Sequence, residues 1–176
     1  VDVHGYVGNF TTEIMRYRGR VIEKIDHGVV IIATRAEEQR PDEYLYGKDP
    51  RVLTQLELEE EIVRKNPDII NCDNLVMIQC VGCRNDERPY CSRVCCNEAI
   101  KNALKLKEMK PEMNIYILYR DIRTYGFYEE YYEEARRKGI IFLHYDPEDK
   151  PRVRQERKAS QLLLRVQVKD QVLGDE

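Results

Sequence analysis

The chain has 176 residues, 35% of them charged, and a formal net charge of −3. That length suffices for a real core, burying roughly 70% of the unfolded surface, while the acidic balance excludes a basic nucleic-acid footprint. The apolar runs are far too short to cross a membrane, and no charged-then-apolar signal segment opens the sequence. In chain order, residues 10–34 alternate polar and apolar as Phe10–Met15, Arg20–Ile25 and Val29–Ala33, with turn signals at Arg18-Gly19 and His27-Gly28. This pattern predicts a small antiparallel meander whose last strand, apolar throughout, is buried on both faces. Residues 35–51 hold Pro41, Gly47 and Pro50 and read as a loop, and Leu53 to Arg64 reads as a helix with Thr54 near its start.

The second half alternates strand and helix. Strand Leu75–Cys80 leads into a cysteine-rich loop and helix Asn97–Lys110; strand Asn114–Tyr119, helix Tyr128–Lys138 and strand Ile140–Leu143 follow. Two β-α-β units predict a three-stranded parallel sheet in an α/β fold, the half-fold that often binds nucleotides. A charged linker, 147–159, then precedes one more strand beginning at Gln161. The expected division is 1–52 as meander and loop, 53–146 as the α/β domain, and 147–176 as linker and return strand. The sequence opens at Val1 and enters mid-pattern, so we expect a piece of a longer polypeptide.

Five of the six cysteines lie within residues 80–96, as Cys80-Val-Gly-Cys83 and Cys91-Ser-Arg-Val-Cys95-Cys96. Thiolates packed this densely repel and oxidise, so a metal that neutralises them is the usual reason for the arrangement. With no export signal, the cysteines read as cytosolic thiols kept for metal or redox work. The neighbours Cys95 and Cys96 do not both fit one tetrahedral zinc easily, whereas an iron–sulfur cluster offers several iron corners over a larger body. Two other readings stay open: a structural zinc module on Cys80, Cys83 and two of the remaining three thiols, and a thiol–disulfide protein using Cys95-Cys96. His4, His27 and His144 are scattered without ligand spacing.

Three phrases carry a resemblance: Met77-Ile-Gln-Cys-Val-Gly-Cys-Arg84, Pro89-Tyr-Cys-Ser-Arg-Val-Cys-Cys96 and Leu118-Tyr-Arg-Asp-Ile-Arg-Thr-Tyr-Gly126. Together they resemble the A-subunit of heterodisulfide reductase, from Gly5 to about Pro151. The resemblance implies an internal fragment of a flavin iron–sulfur oxidoreductase of methanogens, with a thioredoxin-reductase-like core. It further implies a cytoplasmic multi-subunit complex that performs flavin-based electron bifurcation, with other heterodisulfide reductase subunits and hydrogenase- or ferredoxin-type donors and acceptors as partners. By the same resemblance a [4Fe–4S] cluster is held by Cys80, Cys91, Cys95 and Cys96, and Cys83 stands where the family has serine. Cys91 and Cys95 are four apart, hence on one face of a nascent turn, and Cys96 falls at the positive end of the following helix. Lys101 occupies a place where the family sets a lysine against the flavin of FAD, giving it the catalytic and cofactor-binding role. Thr34, Thr54 and Gln55 match family phrases near that flavin, although Arg35 replaces an expected glycine. Apart from the resemblance, the residues themselves favour reading Thr54 as a helix N-cap. Arg120 and Arg123 are candidates to counter negative charge. No Gly-x-Gly-x-x-Gly for the FAD pyrophosphate and no Cys-x-x-Cys-x-x-Cys ferredoxin signature occurs, so the fragment alone is expected to be inactive.

Overall fold

The structure is a computed structural model that describes residues 2–16, 20–34, 37–159, 161–171 and 174. The chain divides into two compact units, 1–37 and 38–176.

In the first unit, β1 (Asp2–Tyr6), β2 (Asn9–Arg16) and β3 (Arg20–His27) form an antiparallel sheet in the order β1-β2-β3. Gly5 has a φ of +109°, and a Cβ there would stand 2.1 Å from the Asn9 carbonyl oxygen, so only glycine fits beside β2. A meander was expected, but its composition differs. The sequence reading omitted β1 and placed the third strand at Val29–Ala33. Instead the chain leaves the sheet at Gly28, whose carbonyl accepts the Gly8 N–H at 2.7 Å. Val29, Ile31 and Ile32 are 67%, 85% and 81% exposed rather than buried on two faces. An apolar run directs burial only where another layer covers it, and no described element of the first unit covers these side chains. The Arg18-Gly19 turn and Arg35 lie outside the described residues.

The second unit contains the α/β layer. Helix α1 (Gln55–Val63) starts at Thr54, whose Oγ1 accepts the Glu57 N–H at 3.2 Å while Glu57 Oε2 accepts the Thr54 N–H at 2.9 Å. This reciprocal capping box satisfies two orphan donors. A short α2 (Pro67–Ile70) leads to β4 (Asn74–Ile78), then α3 (Cys95–Met109), β5 (Asn114–Tyr119), a 3-10 turn at Gly126–Tyr128, α4 (Glu129–Arg137) and β6 (Ile141–His144). The three strands are parallel in the order β4-β5-β6. Acids in the first turn of α4 (Glu129, Glu130) and bases in its last (Arg136, Arg137) complement the helix dipole. Gly139, at φ +78°, releases the chain toward β6. Ile115 and Ile117 on β5, Ile100, Ala103 and Leu106 on α3, and Ala135 on α4 make the core, with Leu58 and Ile62 of α1 packed against it. Tyr132 sets its ring edge against Phe142 with centroids 4.7 Å apart, so it covers the core, whereas Tyr128 and Tyr131 are exposed.

The stretch 147–159 is not a linker throughout. Arg152–Lys158 is a strand, β7, paired antiparallel with β8 (Gln161–Gln167). The charges of Arg152, Arg154, Glu156 and Lys158 share one face of β7, so a two-residue period was hidden beneath a charge run. Nearly buried Asp49 anchors this hairpin. Its carboxylate accepts Arg51 Nη2 at 2.7 Å and Gln155 Nε2 at 2.8 Å, while Arg51 Nη1 donates to the Leu162 carbonyl at 2.6 Å.

The hydrogen bonds from Arg51, then from Gln155, hold the Asp49 carboxyl far below the usual carboxylate range. Because the folded value is depressed, its stabilising contribution is complete above the unfolded value of about 3.9 and is lost as pH falls below it. Asp49→Asn removes the anion and places a donor amide against Arg51, with an expected loss of about 2 kcal/mol. Hydrogen exchange checks this: amides of 153–166 should exchange faster in the variant at pH 7, and the wild-type protection should fall toward the variant's by pH 3. Equal protection in both proteins at pH 7 would refute the anchor.

Candidate metal centre

The cysteine loop leaves the carboxyl end of β4, the edge of a parallel sheet where ligands are usually received. Three residues at alternate positions adopt left-handed backbone, Cys80 at φ +61°, Gly82 at +66° and Arg84 at +56°. Such alternation is the backbone pattern of the anion-binding concavities found at many phosphate and iron–sulfur sites, and the Cys80 N–H is directed to the Cys95 sulfur. The non-glycine residues hold this conformation at a cost of roughly 1–2 kcal/mol each, which marks a loop shaped for more than connection. The loop is braced from below. Tyr145, buried at the end of β6, donates its hydroxyl to the Gln79 carbonyl at 2.6 Å, and the Gln79 N–H reaches the Leu118 carbonyl at 2.9 Å.

Helix α3 begins at Cys95, two residues before its expected start at Asn97, so Cys95 and Cys96 form its first turn. The positive helix end there favours thiolate. The Cys95 thiol is driven down, first by the hydrogen bond from Cys96 and further by the Ser92 hydroxyl and the Cys80 N–H, against burial. Cys96 moves up by giving that hydrogen bond and by its own burial. Its Sγ also reaches the Asp121 carbonyl at 3.8 Å. Burial raises Cys80, against a hydrogen bond from Arg84 Nη1 at 3.7 Å. Cys91 Sγ accepts the Arg93 N–H at 3.3 Å. Cys83 is pushed up to about 11, first by burial and then by neighbouring Cys80, Cys95 and Cys91. All five thiols therefore share one electrostatic neighbourhood. Among the described residues no three His, Cys, Asp or Glu side chains converge as ligands of a single metal ion. Cys72 stands apart, half-buried against the core before β4.

The donor set suits an iron–sulfur group: thiols only, a backbone concavity for anionic charge, and cationic Arg84 and Arg120 beside it. A cavity of about 220 Å³ opens beside the loop, lined by Tyr44, Cys80, Cys83, Arg120 and Tyr145 among others. Arg120 Nη1 donates to the Arg84 carbonyl at 2.9 Å, and Arg123 lies 3.6 Å from Asp121.

The flavin-side candidates form a second group on adjacent helices. Thr54 caps α1 and donates its hydroxyl to Glu38 at 2.6 Å. The Gln55 carbonyl and side-chain oxygen both accept from buried Asn102 Nδ2, at 3.2 and 3.0 Å. Lys101, half-exposed on α3, is ion-paired to Glu59 at 2.8 Å and Glu98 at 3.7 Å. Thr34 belongs to the first unit and is exposed. The sequence reading missed Arg84 as a contact of Cys80; four positions of separation carry meaning in a helix, and these residues lie in a loop.

No family model matches the chain. Curated relatives do match it. The A-subunit of the H2/formate:CoB-CoM heterodisulfide,ferredoxin reductase of Methanococcus maripaludis is 40% identical over 77% of the chain and 23% of its own length. The A-subunit of the ferredoxin:CoB-CoM heterodisulfide reductase of Methanosarcina acetivorans is 34% identical over 72% of the chain and 21% of its own length. The iron-sulfur A-subunit of the CoB–CoM heterodisulfide reductase of Methanocaldococcus jannaschii is 35% identical over 86% of the chain and 25% of its own length. The chain belongs to the heterodisulfide reductase A-subunit family. It spans about a quarter of the length of these relatives. These relatives are oxidoreductase subunits by name, and one of the names carries the iron–sulfur term that the thiol cluster suits. No helix among the described residues is long and apolar enough to cross a membrane.

Proposed function

We propose that this chain is the cluster-bearing part of a flavin iron–sulfur oxidoreductase, with Cys80, Cys91, Cys95 and Cys96 holding a [4Fe–4S] group close to FAD. The carrying observation is that a loop with left-handed backbone at residues 80, 82 and 84 directs the Cys80 N–H to the Cys95 thiol at the positive end of α3. When bound, the cluster supplies one-electron transfer, and FAD exchanges electron pairs for single electrons. The residues contribute the rest. Cys95 offers a thiolate at the helix start and Cys96 the thiol that donates to it, the Cys80 N–H and the Ser92 hydroxyl donate toward Cys95, and Arg84 donates toward Cys80.

In this reading the three-stranded sheet is the remnant of a nucleotide-binding half-fold in a thioredoxin-reductase-like core, supported by its sequential parallel order. Segment 53–146 is the redox domain, 1–52 belongs to an FAD-binding-type domain, and 147–176 is an appended hairpin. Thr54, Gln55 and Lys101 line one edge of the flavin site, supported by their placement on adjoining α1 and α3. Polypeptide beyond this chain supplies the FAD pyrophosphate cradle. With FAD bound, Lys101 would turn from Glu59 and offer its ammonium to the flavin ring. The whole protein then works in the cytoplasm within a complex, passing electrons among ferredoxin, hydrogen or formate and a heterodisulfide, the compounds that its relatives' names carry. Bifurcation at the flavin is the reaction we assign to that assembly.

Structural zinc is the second reading, favoured by Cys83, which feels Cys80, Cys91 and Cys95 together. Anaerobic purification with iron, sulfide and zinc analysis decides between them. Stoichiometric iron and sulfide with a brown absorption that bleaches on reduction supports the cluster; zinc in a colourless sample refutes it. Cys83→Ser should spare the cluster but cripple a zinc site built on Cys80 and Cys83.

A further inference from the structure

We infer that Arg84 is a positioning residue that sets the electron affinity of the cysteine centre through Cys80, with Asp121 as its electrostatic counterweight. The inference rests on the cluster reading above. Arg84 Nη1 lies 3.7 Å from Cys80 Sγ, and its Nη2 lies 2.5 Å from Asp121 Oδ2. The residue cannot swing freely: its backbone is left-handed at φ +56°, its carbonyl is held by Arg120, and its side chain is only 19% exposed. Asp121 belongs to the loop after β5, and its backbone carbonyl faces Cys96 Sγ at 3.8 Å. The pair therefore spans from the Cys80 side of the thiol group to the Cys96 side.

A cation donating a hydrogen bond to a ligating sulfur stabilises the electron-richer state of whatever that sulfur binds, and so raises the reduction potential. The Asp121 carboxylate opposes this by drawing on the same guanidinium and by its own negative charge. Partial burial keeps solvent from screening the interaction as it would at an open surface. The two residues consequently act with opposite signs. A purely structural ion pair has a different signature, because removing either partner damages the same contact and shifts no potential in a residue-specific direction.

The test is an EPR-monitored midpoint titration, with redox mediators, of the cluster-loaded full chain, with iron content measured on each sample. Arg84→Gln should lower the midpoint, with the reduced-to-oxidised ratio at a fixed poise falling on the order of tenfold, about 59 mV for a one-electron couple. Arg84→Lys keeps the charge and should restore most of the wild-type value. Asp121→Asn should move the midpoint the other way. Should Arg84→Gln fail to retain iron, the lysine and asparagine variants carry the comparison. Unchanged midpoints over full iron content, or shifts of one sign from both residues, overturn the inference alone. A wild-type chain that assembles no cluster overturns the cluster reading and this inference together.

Discussion

Cys95→Ser is expected to abolish cluster assembly, dropping iron from near the four of one [4Fe–4S] group to a small residue, while Cys83→Ser retains it. Cys95 is where the local forces meet: it opens α3, accepts from Cys96, Ser92 and the Cys80 N–H, and is the thiol those donors drive down. A serine hydroxyl stays protonated at neutral pH and is a harder, weaker ligand for iron than thiolate. Iron and sulfide analysis beside circular dichroism separates ligand loss from unfolding. If Cys95→Ser kept full iron and colour, the four-ligand assignment would be wrong.

The largest loss of stability should follow Ile117→Ala. Ile117 lies on the central strand β5, paired to Met77 on one side and Phe142 on the other, and is 0% exposed between the helices. Truncation removes its buried methyl groups and leaves a cavity that the parallel sheet cannot close, costing about 2–5 kcal/mol. For a chain of this size that lowers the thermal midpoint by roughly 2–4 °C per kcal/mol. A calorimetric scan measures it; a shift under about 1 °C would show that β5 is not the core of this unit. Ile117→Val, keeping most of the volume, should cost about 0.5–1.5 kcal/mol.

The α/β layer was legible because its signals are local and agree with one another. β5 has its expected bounds at Asn114 and Tyr119, and Thr54 caps α1 through Glu57 three residues on. The cysteines announced by density alone that their thiols would gather in one place. Illegible were features that depend on what lies opposite. The run Val29–Ala33 looks like a buried strand to any rule that counts apolar residues, yet burial is decided by the presence of a covering layer. β7 was masked because one face of that strand is all charge. Arg84 joined the centre through loop geometry, to which residue spacing is blind.

The bare Val29–Ile32 run has a practical consequence. Four consecutive β-branched side chains without a charge or proline among them match the short segments that stack into ordered aggregates when left uncovered. Handled as an isolated polypeptide at high concentration, the chain is expected to self-associate through this stretch, which light scattering against concentration would measure. A lysine gatekeeper at Ile31, 85% exposed, would keep preparations clear without touching the cysteine loop.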